Sequence, residues 1–325
     1  MVLNDIQFRN ITHHCLKTVA IGDGYYGFER FDERQYRHYE SQSESRAIRA
    51  RCTSSVAFDF ISDTTEIRFC YRMLERTNRS YAGFDLYIDR IFCDHLFFET
   101  LPEQGTVSFS IAAGGKGPHR ITVWLPWAMN LEIGMFSVDD GSMVEKVEKS
   151  KKILFFGDSI TQGYDATYPS MSYVNRVGRH FDAEILNQGI GGYVFDSENL
   201  FPDIGFEPDL IFVAYGTNDK RKDMNAYRNN VGGYMRRLSE IYPKQPIYVI
   251  TPIWRTDVSG TEEFDRVYPI IEAACAPYPN ITVVDGRSCV PHLTSFFADR
   301  RVHPSDLGFG EYANRLISLL SETAR

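Results

Sequence analysis

The sequence predicts two domains of different class: a β-rich amino-terminal half and an α/β carboxy-terminal half. Three observations carry this. The chain has 325 residues, more than one ordinary core holds. Short alternating apolar runs recur between turn signals as far as residue 147. From Lys151 onward, apolar strands alternate with helical patterns, the signature of right-handed βαβ units and a parallel sheet.

In the first half, the runs Ser55–Phe60, Glu66–Tyr71, Gly83–Ile88, Thr106–Ile111 and His119–Leu125 read as strands. Their spacing suits an antiparallel sandwich or jelly roll. Gly114–Pro118 reads as a turn between two of them. No stretch there shows helical periodicity over three turns. A charged connector at 141–150 joins the halves, placing one domain at 1–147 and the other at 148–325. In the second half, strands are predicted at 153–157, 183–187, 209–214, 247–250 and 281–284. Helices are predicted at 171–181, 224–242, 262–276 and 306–322.

Composition narrows the function. Hydrophobic residues make up 43% and charged residues 24%, ordinary for a globular protein, while the aromatic share of 14% is high. Net charge is -8 with no long basic run, so nothing favours nucleic acid or an anionic membrane. No window approaches a transmembrane length, and the first residues lack a signal-peptide pattern. The six cysteines are scattered without a CxxC pair, which reads as reduced thiols in a cytoplasmic protein and offers no zinc-ligand spacing.

Four groups fall at strand ends or adjoining loops: Gly157-Asp158-Ser159, Asn187–Gly192, Tyr215–Asp219 and His303–Gly308. Parallel strands end on one side, so these loops converge at the crevice where open α/β sheets bind ligands. Ser159 offers a hydroxyl and His303 an imidazole whose ordinary pKa suits base and then acid roles. The Ser159 N–H, a glycine N–H from the second loop and the Asn218 amide are candidate oxyanion donors. Against this, Ser159 read alone is equally a helix cap, and Ser305 and Asp306 read as caps of the last helix. Asp158 and Asp219 read as turn-ordering groups. Tyr164, Tyr193, Tyr215, Trp254 and Arg255 adjoin strand ends; each either shapes a substrate site or packs. The glycines after strand two lack a partner at Val194, so a dinucleotide loop is not supported.

Together, Gly157-Asp158-Ser159-Ile160, Asn187-Gln188-Gly189-Ile190-Gly191-Gly192, Gly216-Thr217-Asn218-Asp219 and Val302-His303-Pro304 resemble the four blocks of the SGNH (GDSL-type) hydrolases, in the family's order. The resemblance covers 151–325 and implies a three-layer, flavodoxin-like α/β/α domain. It implies Ser159 as nucleophile, His303 as base, and the Ser159 N–H, Gly192 N–H and Asn218 as the oxyanion hole. The β-rich half ahead of it resembles the arrangement in carbohydrate esterase family 2. The family carries an acid three residues before the base; here that position is Arg300, and Asp299 stands one residue further away. Either Asp299 reaches the imidazole or a backbone carbonyl orients it. The expectation is a serine esterase for short acyl, foremost acetyl, esters, plausibly on a carbohydrate, with Tyr193, Tyr215 and Trp254 at the substrate and with neither metal nor cofactor. An O-acyltransferase using the same residues and a non-catalytic carbohydrate-binding protein are the alternatives.

Overall fold

The computed structural model describes residues 1–111, 115, 117–219, 223–257 and 262–323. Gly114 and Lys116 of the predicted Gly114–Pro118 turn lie outside the described residues. The first half runs α1 (Asp5–Ile11), β1 (Thr12–His13), β2 (Lys17–Gly22), β3 (Tyr25–Glu29), α2 (Glu33–Gln42), α3 (Glu44–Arg51) and β4 (Ala57–Ser62). It continues β5 (Glu66–Arg76), β6 (Ala82–Ile88), β7 (Ile91–Phe98), β8 (Gln104–Ser110), β9 (His119–Trp124), β10 (Met129–Val138) and β11 (Glu145–Lys146). Two antiparallel sheets result. One has the order β1-β4-β9-β6-β7 with β11 also on β4, and the other β2-β3-β10-β5-β8.

Alternation decides which faces meet. Along β5, Ile67, Phe69 and Tyr71 point inward while Glu66 and Arg68 are exposed. Phe69 and Phe136 of one sheet meet Phe58 of the other, with ring centroids 5.7 and 5.0 Å from Phe58. Such aromatic contacts add to the area they bury.

The three helices correct the expectation of an all-β half. They run 7, 10 and 8 residues, too short for a stripe over three turns. Caps sustain them instead. Asn4 with Gln7 and Asp32 with Gln35 form capping boxes, and the Ser43 side chain accepts from the Arg46 N–H. α2 buries only Gln35 and Tyr39, so its sequence reads as polar.

The second half runs β12 (Lys152–Gly157), α4 (Ser159–Gln162), α5 (Tyr173–Phe181), β13 (Glu184–Gly189), β14 (Leu210–Ala214), α6 (Met224–Ile241), β15 (Ile247–Ile250), α7 (Glu262–Cys275), β16 (Ile281–Val284) and α8 (Asp306–Thr323). Its sheet is parallel, in the order β13-β12-β14-β15-β16. This doubly wound order has its switch point at β12, and ligands bind outside the carboxyl ends of strands at such a point. Burial on both faces explains the continuous apolar run of β12. Ile153 and Phe155 pack with Tyr173, Val177 and Tyr312 from α5 and α8. Leu154 and Phe156 pack with Tyr227, Val231 and Leu238 from α6.

The α5 and α8 side shares one apolar cluster with the antiparallel sheets. Polar ties cross the same seam. Arg120 of β9 bridges Asp59 of β4 and Asp182, with contacts of 2.6 and 2.7 Å from one nitrogen. Lys149 contacts both carboxylates as well. The antiparallel strands end at Lys146 and the parallel sheet begins at Lys152.

Gly189 ends β13 against α4. A Cβ there would lie 2.3 Å from the Gln162 nitrogen and 2.7 Å from the Thr161 carbonyl carbon, both backbone. Gly189→Ala is therefore expected to push α4 aside and to cost about 1–3 kcal/mol of stability. Urea unfolding of the variant measures this.

Candidate active site

β12 turns straight into α4, and the turn needs Gly157. A Cβ at that position would fall 1.9 Å from Thr161 Oγ1. Asp158 caps the helix, its Oδ1 accepting from the Ile160 N–H at 3.0 Å. Burial raises the Asp158 carboxyl to about 6, against the hydrogen bond from Ile160. α4 stops at Gly163, whose φ of +100° is left-handed. Ser159 is the first residue of this helix, so its N–H has no acceptor within the helix.

The loop before α8 brings His303 to this serine. Nε2 of His303 lies 2.9 Å from Ser159 Oγ. On the far side of the ring, Nδ1 lies 2.9 Å from Asp299 Oδ2 and 3.1 Å from Asp165 Oδ2. The ring therefore faces two carboxylates rather than a backbone carbonyl. Asp299 is fixed by its own loop, where Oδ1 accepts from the N–H groups of Arg301 (2.8 Å), Val302 (2.8 Å) and His303 (3.1 Å). Arg300, at φ +57°, absorbs the extra residue between acid and base.

Asp165 is the group the sequence did not disclose. It follows α4 by three residues, and nothing in its neighbours marks it. Arg79 Nε donates to its Oδ1 at 2.6 Å and Arg79 Nη2 to its Oδ2 at 2.9 Å. The Tyr81 hydroxyl donates to Oδ1 at 2.9 Å. Both partners belong to the antiparallel half, so no local pattern announces the contact.

These charges set the titration of the site. Burial works against a charged His303, but hydrogen bonds to Asp165 and Asp299 outweigh it and raise the imidazole to about 9. Asp165 and Asp299 are both held well below the usual carboxylate range, since their contacts to His303 and their other donors overcome burial. Asp165, Asp299 and His303 offer ligand atoms within 4.8 Å of one another, which could hold a metal ion. Oδ1 of Asp165 is engaged by Arg79 and Tyr81 and Oδ1 of Asp299 by three backbone N–H groups, while both Oδ2 atoms face His303 Nδ1 and that of Asp165 also takes Arg79 Nη2. The cluster is thus built as a hydrogen-bonded relay.

The loops after β13 and β14 adjoin Ser159. Asn187 locks the first of them. Its Nδ2 donates to Ser55 Oγ and the Thr161 carbonyl, and its Oδ1 accepts from Gly189 N–H. Gln162 Oε1 accepts from Gly191 N–H at 2.7 Å. Gly192 is exposed at φ +75°, with open space where a Cβ would stand. Asn218 Nδ2 donates to the Tyr193 carbonyl at 3.0 Å and lies 3.4 Å from Asp158 Oδ2. The second distance is long for a hydrogen bond, so one amide hydrogen is weakly engaged.

Two expected substrate residues are core residues. Tyr215 is buried among Tyr193, Phe195 and Tyr234, and Tyr193 is buried with its hydroxyl donating to Asp196 at 2.6 Å. Strand-end position gave the right address, but their side chains turn into the α6 face of the core. Trp254 is half-buried and stacks on His292 at 5.1 Å. The ring beside His303 is Tyr164, at 5.4 Å, backed by Trp127 at 4.7 Å. Arg49 Nε donates to the Tyr164 hydroxyl at 2.9 Å.

A serine–imidazole–carboxylate line thus lies at the switch point of a doubly wound, three-layer α/β/α sheet domain. Residues 155–309 match the model of the GDSL-like lipase/acylhydrolase family. The chain carries an SGNH (GDSL-type) hydrolase domain and is a carboxylic ester hydrolase. No curated protein matches the sequence. Among solved structures, the chain is similar to salicylyl-acyltransferase SsfX3 from a tetracycline biosynthetic pathway, with TM-score 0.76 and 16% identity over 95% of this chain and 94% of that one. It is similar to a family two carbohydrate esterase from Clostridium thermocellum in complex with cellohexaose, with TM-score 0.61 and 16% identity over 84% and 94%. An acetyl xylan esterase from the rumen bacterium Butyrivibrio proteoclasticus gives TM-score 0.61 and 15% identity over 83% and 89%. At such identities the likeness is one of fold, and it extends over both halves.

The folded pKa of His303, about 9, lies above the ordinary value of 6.5. Its interactions therefore stabilise the fold in full below the unfolded pKa, and that contribution is lost as pH rises through about 9. The unfolding free energy of the protein should exceed that of His303→Gln by most at pH 6, and the gap should narrow by pH 10. Denaturant titrations of both proteins across this range check it.

Proposed function

We propose that this protein hydrolyses short-chain acyl esters through a covalent intermediate on Ser159. The carrying observation is His303, with Nε2 at 2.9 Å from Ser159 Oγ and Nδ1 facing carboxylates. In this reading Nε2 takes the serine proton as Oγ forms its bond to the ester carbonyl carbon. Asp299 holds Nδ1–H in place and stabilises the imidazolium that results. The carbonyl oxygen, now negative, receives hydrogen bonds from the Ser159 N–H, the Gly192 N–H and the weakly engaged amide hydrogen of Asn218. Collapse breaks the bond to the alcohol oxygen, which leaves with the proton from Nε2. Water then repeats the sequence and frees the acid, restoring Ser159.

The imidazole pKa of about 9 makes the base scarce at neutral pH in the free protein. Turnover per unit of substrate should therefore climb as pH rises toward 9. Acetyl on a carbohydrate is the preferred substrate class. Its support is the likeness of fold to a family two carbohydrate esterase and to an acetyl xylan esterase. A second reading, transfer of the acyl group to another alcohol, is favoured by the likeness to a salicylyl-acyltransferase along almost the whole chain. The two differ only in whether water or an alcohol attacks the acyl-enzyme.

A panel of p-nitrophenyl esters from C2 to C12, run on the full-length protein and on Ser159→Ala, tests the proposal. Hydrolysis should be fastest at C2 and fall in Ser159→Ala by at least about a thousandfold. An undiminished rate in Ser159→Ala would remove the serine mechanism. An acyl product formed only with added alcohol, with little free acid, would favour transfer.

A further inference from the structure

We propose that Asp165 is a second positioning carboxylate for His303, aimed by Arg79 and Tyr81, so that the antiparallel half supplies part of the catalytic apparatus. The proposal rests on the reading of Ser159 and His303 given above. It adds an acid from a different loop and its supports from a different half of the chain.

Asp165 reaches the same ring nitrogen as Asp299, at a slightly longer distance. Asp165 Oδ2 is 3.1 Å from His303 Nδ1, and Asp299 Oδ2 is 2.9 Å from the same atom. Neutral imidazole carries one hydrogen there; it is hydrogen-bonded to Asp299, and Asp165 faces the same atom as an ion-pair partner. Two carboxylates at that distance repel each other unless each has its own donors. Asp299 takes three backbone N–H groups on Oδ1. Asp165 has only side-chain donors: the two-pronged Arg79 contact and the Tyr81 hydroxyl. Arg79 and Tyr81 lie between β5 and β6, far in sequence from the parallel sheet. Arg79 Nε and Tyr81 engage Oδ1 of Asp165, while Oδ2 takes Arg79 Nη2 and is turned to the ring.

The surroundings make this arrangement stiff. Asp165 is buried and sits at φ +67°, a backbone state that aspartate tolerates better than most residues. Tyr164 lies beside both, with the Arg79 guanidinium 5.7 Å and the His303 ring 5.4 Å from its ring centroid. The Trp127 indole N–H donates to the Ala166 carbonyl at 2.9 Å, pinning the next residue of the same loop to the antiparallel half. The charged groups facing His303 are thus Asp299 from its own loop, Asp165 with Arg79 behind it, and buried Asp158 on the Ser159 side. As the proton passes from Ser159 to Nε2, both carboxylates at Nδ1 oppose the new positive charge. Arg300 can then occupy the position where the family carries its acid, because orientation of the ring is divided between Asp299 and Asp165.

The test uses full-length protein and p-nitrophenyl acetate, with kcat and KM followed from pH 5 to 10 in wild type, Asp165→Asn, Asp299→Asn and the double variant. Loss of the Asp165 charge should move the ascending limb of kcat/KM to lower pH by roughly one unit. It should lower the plateau kcat by about ten- to a hundredfold, with KM little changed. The double variant should lose more than the product of the two single losses, as expected when two groups share one task. The proposal is overturned if Asp165→Asn keeps the wild-type limb and plateau while Asp299→Asn alone collapses the rate. If Asp165→Asn does not fold, Arg79→Lys, which keeps a cation but loses the two-pronged contact, decides the matter. A kcat at least about fivefold lower at unchanged KM supports the proposal, and an unchanged kcat overturns it. Ser159→Ala separates the two levels. Full activity there would sink the serine reading itself, whereas an inactive Ser159→Ala beside an unaffected Asp165→Asn would sink only the role of Asp165.

Discussion

The imidazole of His303 is where the constraints of this molecule meet. It touches the serine at the end of the central strand, an acid from the loop before the last helix and an acid from the loop after α4. That last acid is held in turn by Arg79 and Tyr81 of the antiparallel half. Each contact lies between 2.6 and 3.1 Å, so a shift of one half against the other would open the line. Removing one partner from a buried ion pair typically costs about 3–5 kcal/mol, because the other charge is stranded away from water. The Arg79–Asp165 pair, with Asp165 7% and Arg79 26% exposed, approaches this kind from its carboxylate end.

The rest of the seam keeps that line in register. Arg120 and Lys149 form a four-membered network with Asp59 and Asp182. Tyr87 shares a hydrogen bond of 3.0 Å with Ser170, and Asp85 accepts from the Ser170 N–H at 2.8 Å. Beneath these, apolar side chains of the antiparallel sheets and of α5 and α8 form one continuous cluster. A core shared across two halves resists sliding because close-packed interiors transmit displacement rather than absorb it. The antiparallel half is therefore built as a wall of the site. Arg49 and Trp127 extend this by bracing Tyr164, the aromatic neighbour of His303.

Much of this was readable along the chain. The parallel strands and their helices stand where periodicity put them, since a strand buried on both faces must be apolar throughout and its helices must carry a stripe. That the loops after β12, β13 and β14 leave from one sheet edge followed from strand direction, while His303 arrives from the loop before α8. The short helices α1 to α3 were not readable, because caps and one or two buried residues sustain them. Tyr193 and Tyr215 show a different gap: their position at strand ends was right, but which way a side chain turns depends on the packing opposite it.

The sequence by itself determined the fold class and the doubly wound sheet, because these rest on periodicity and on local turns such as Gly157 and Gly163, and its resemblance to the four family blocks paired Ser159 with His303. It left the orientation of the imidazole open between Asp299 and a backbone carbonyl. Only the tertiary structure decided that, through the left-handed turn at Arg300 that brings Asp299 back to the ring. It also placed Asp165 there, by a contact across 86 and 84 residues to Arg79 and Tyr81. Long-range ion pairs leave no trace in local pattern, since neither partner's neighbours need differ from those of any other surface charge.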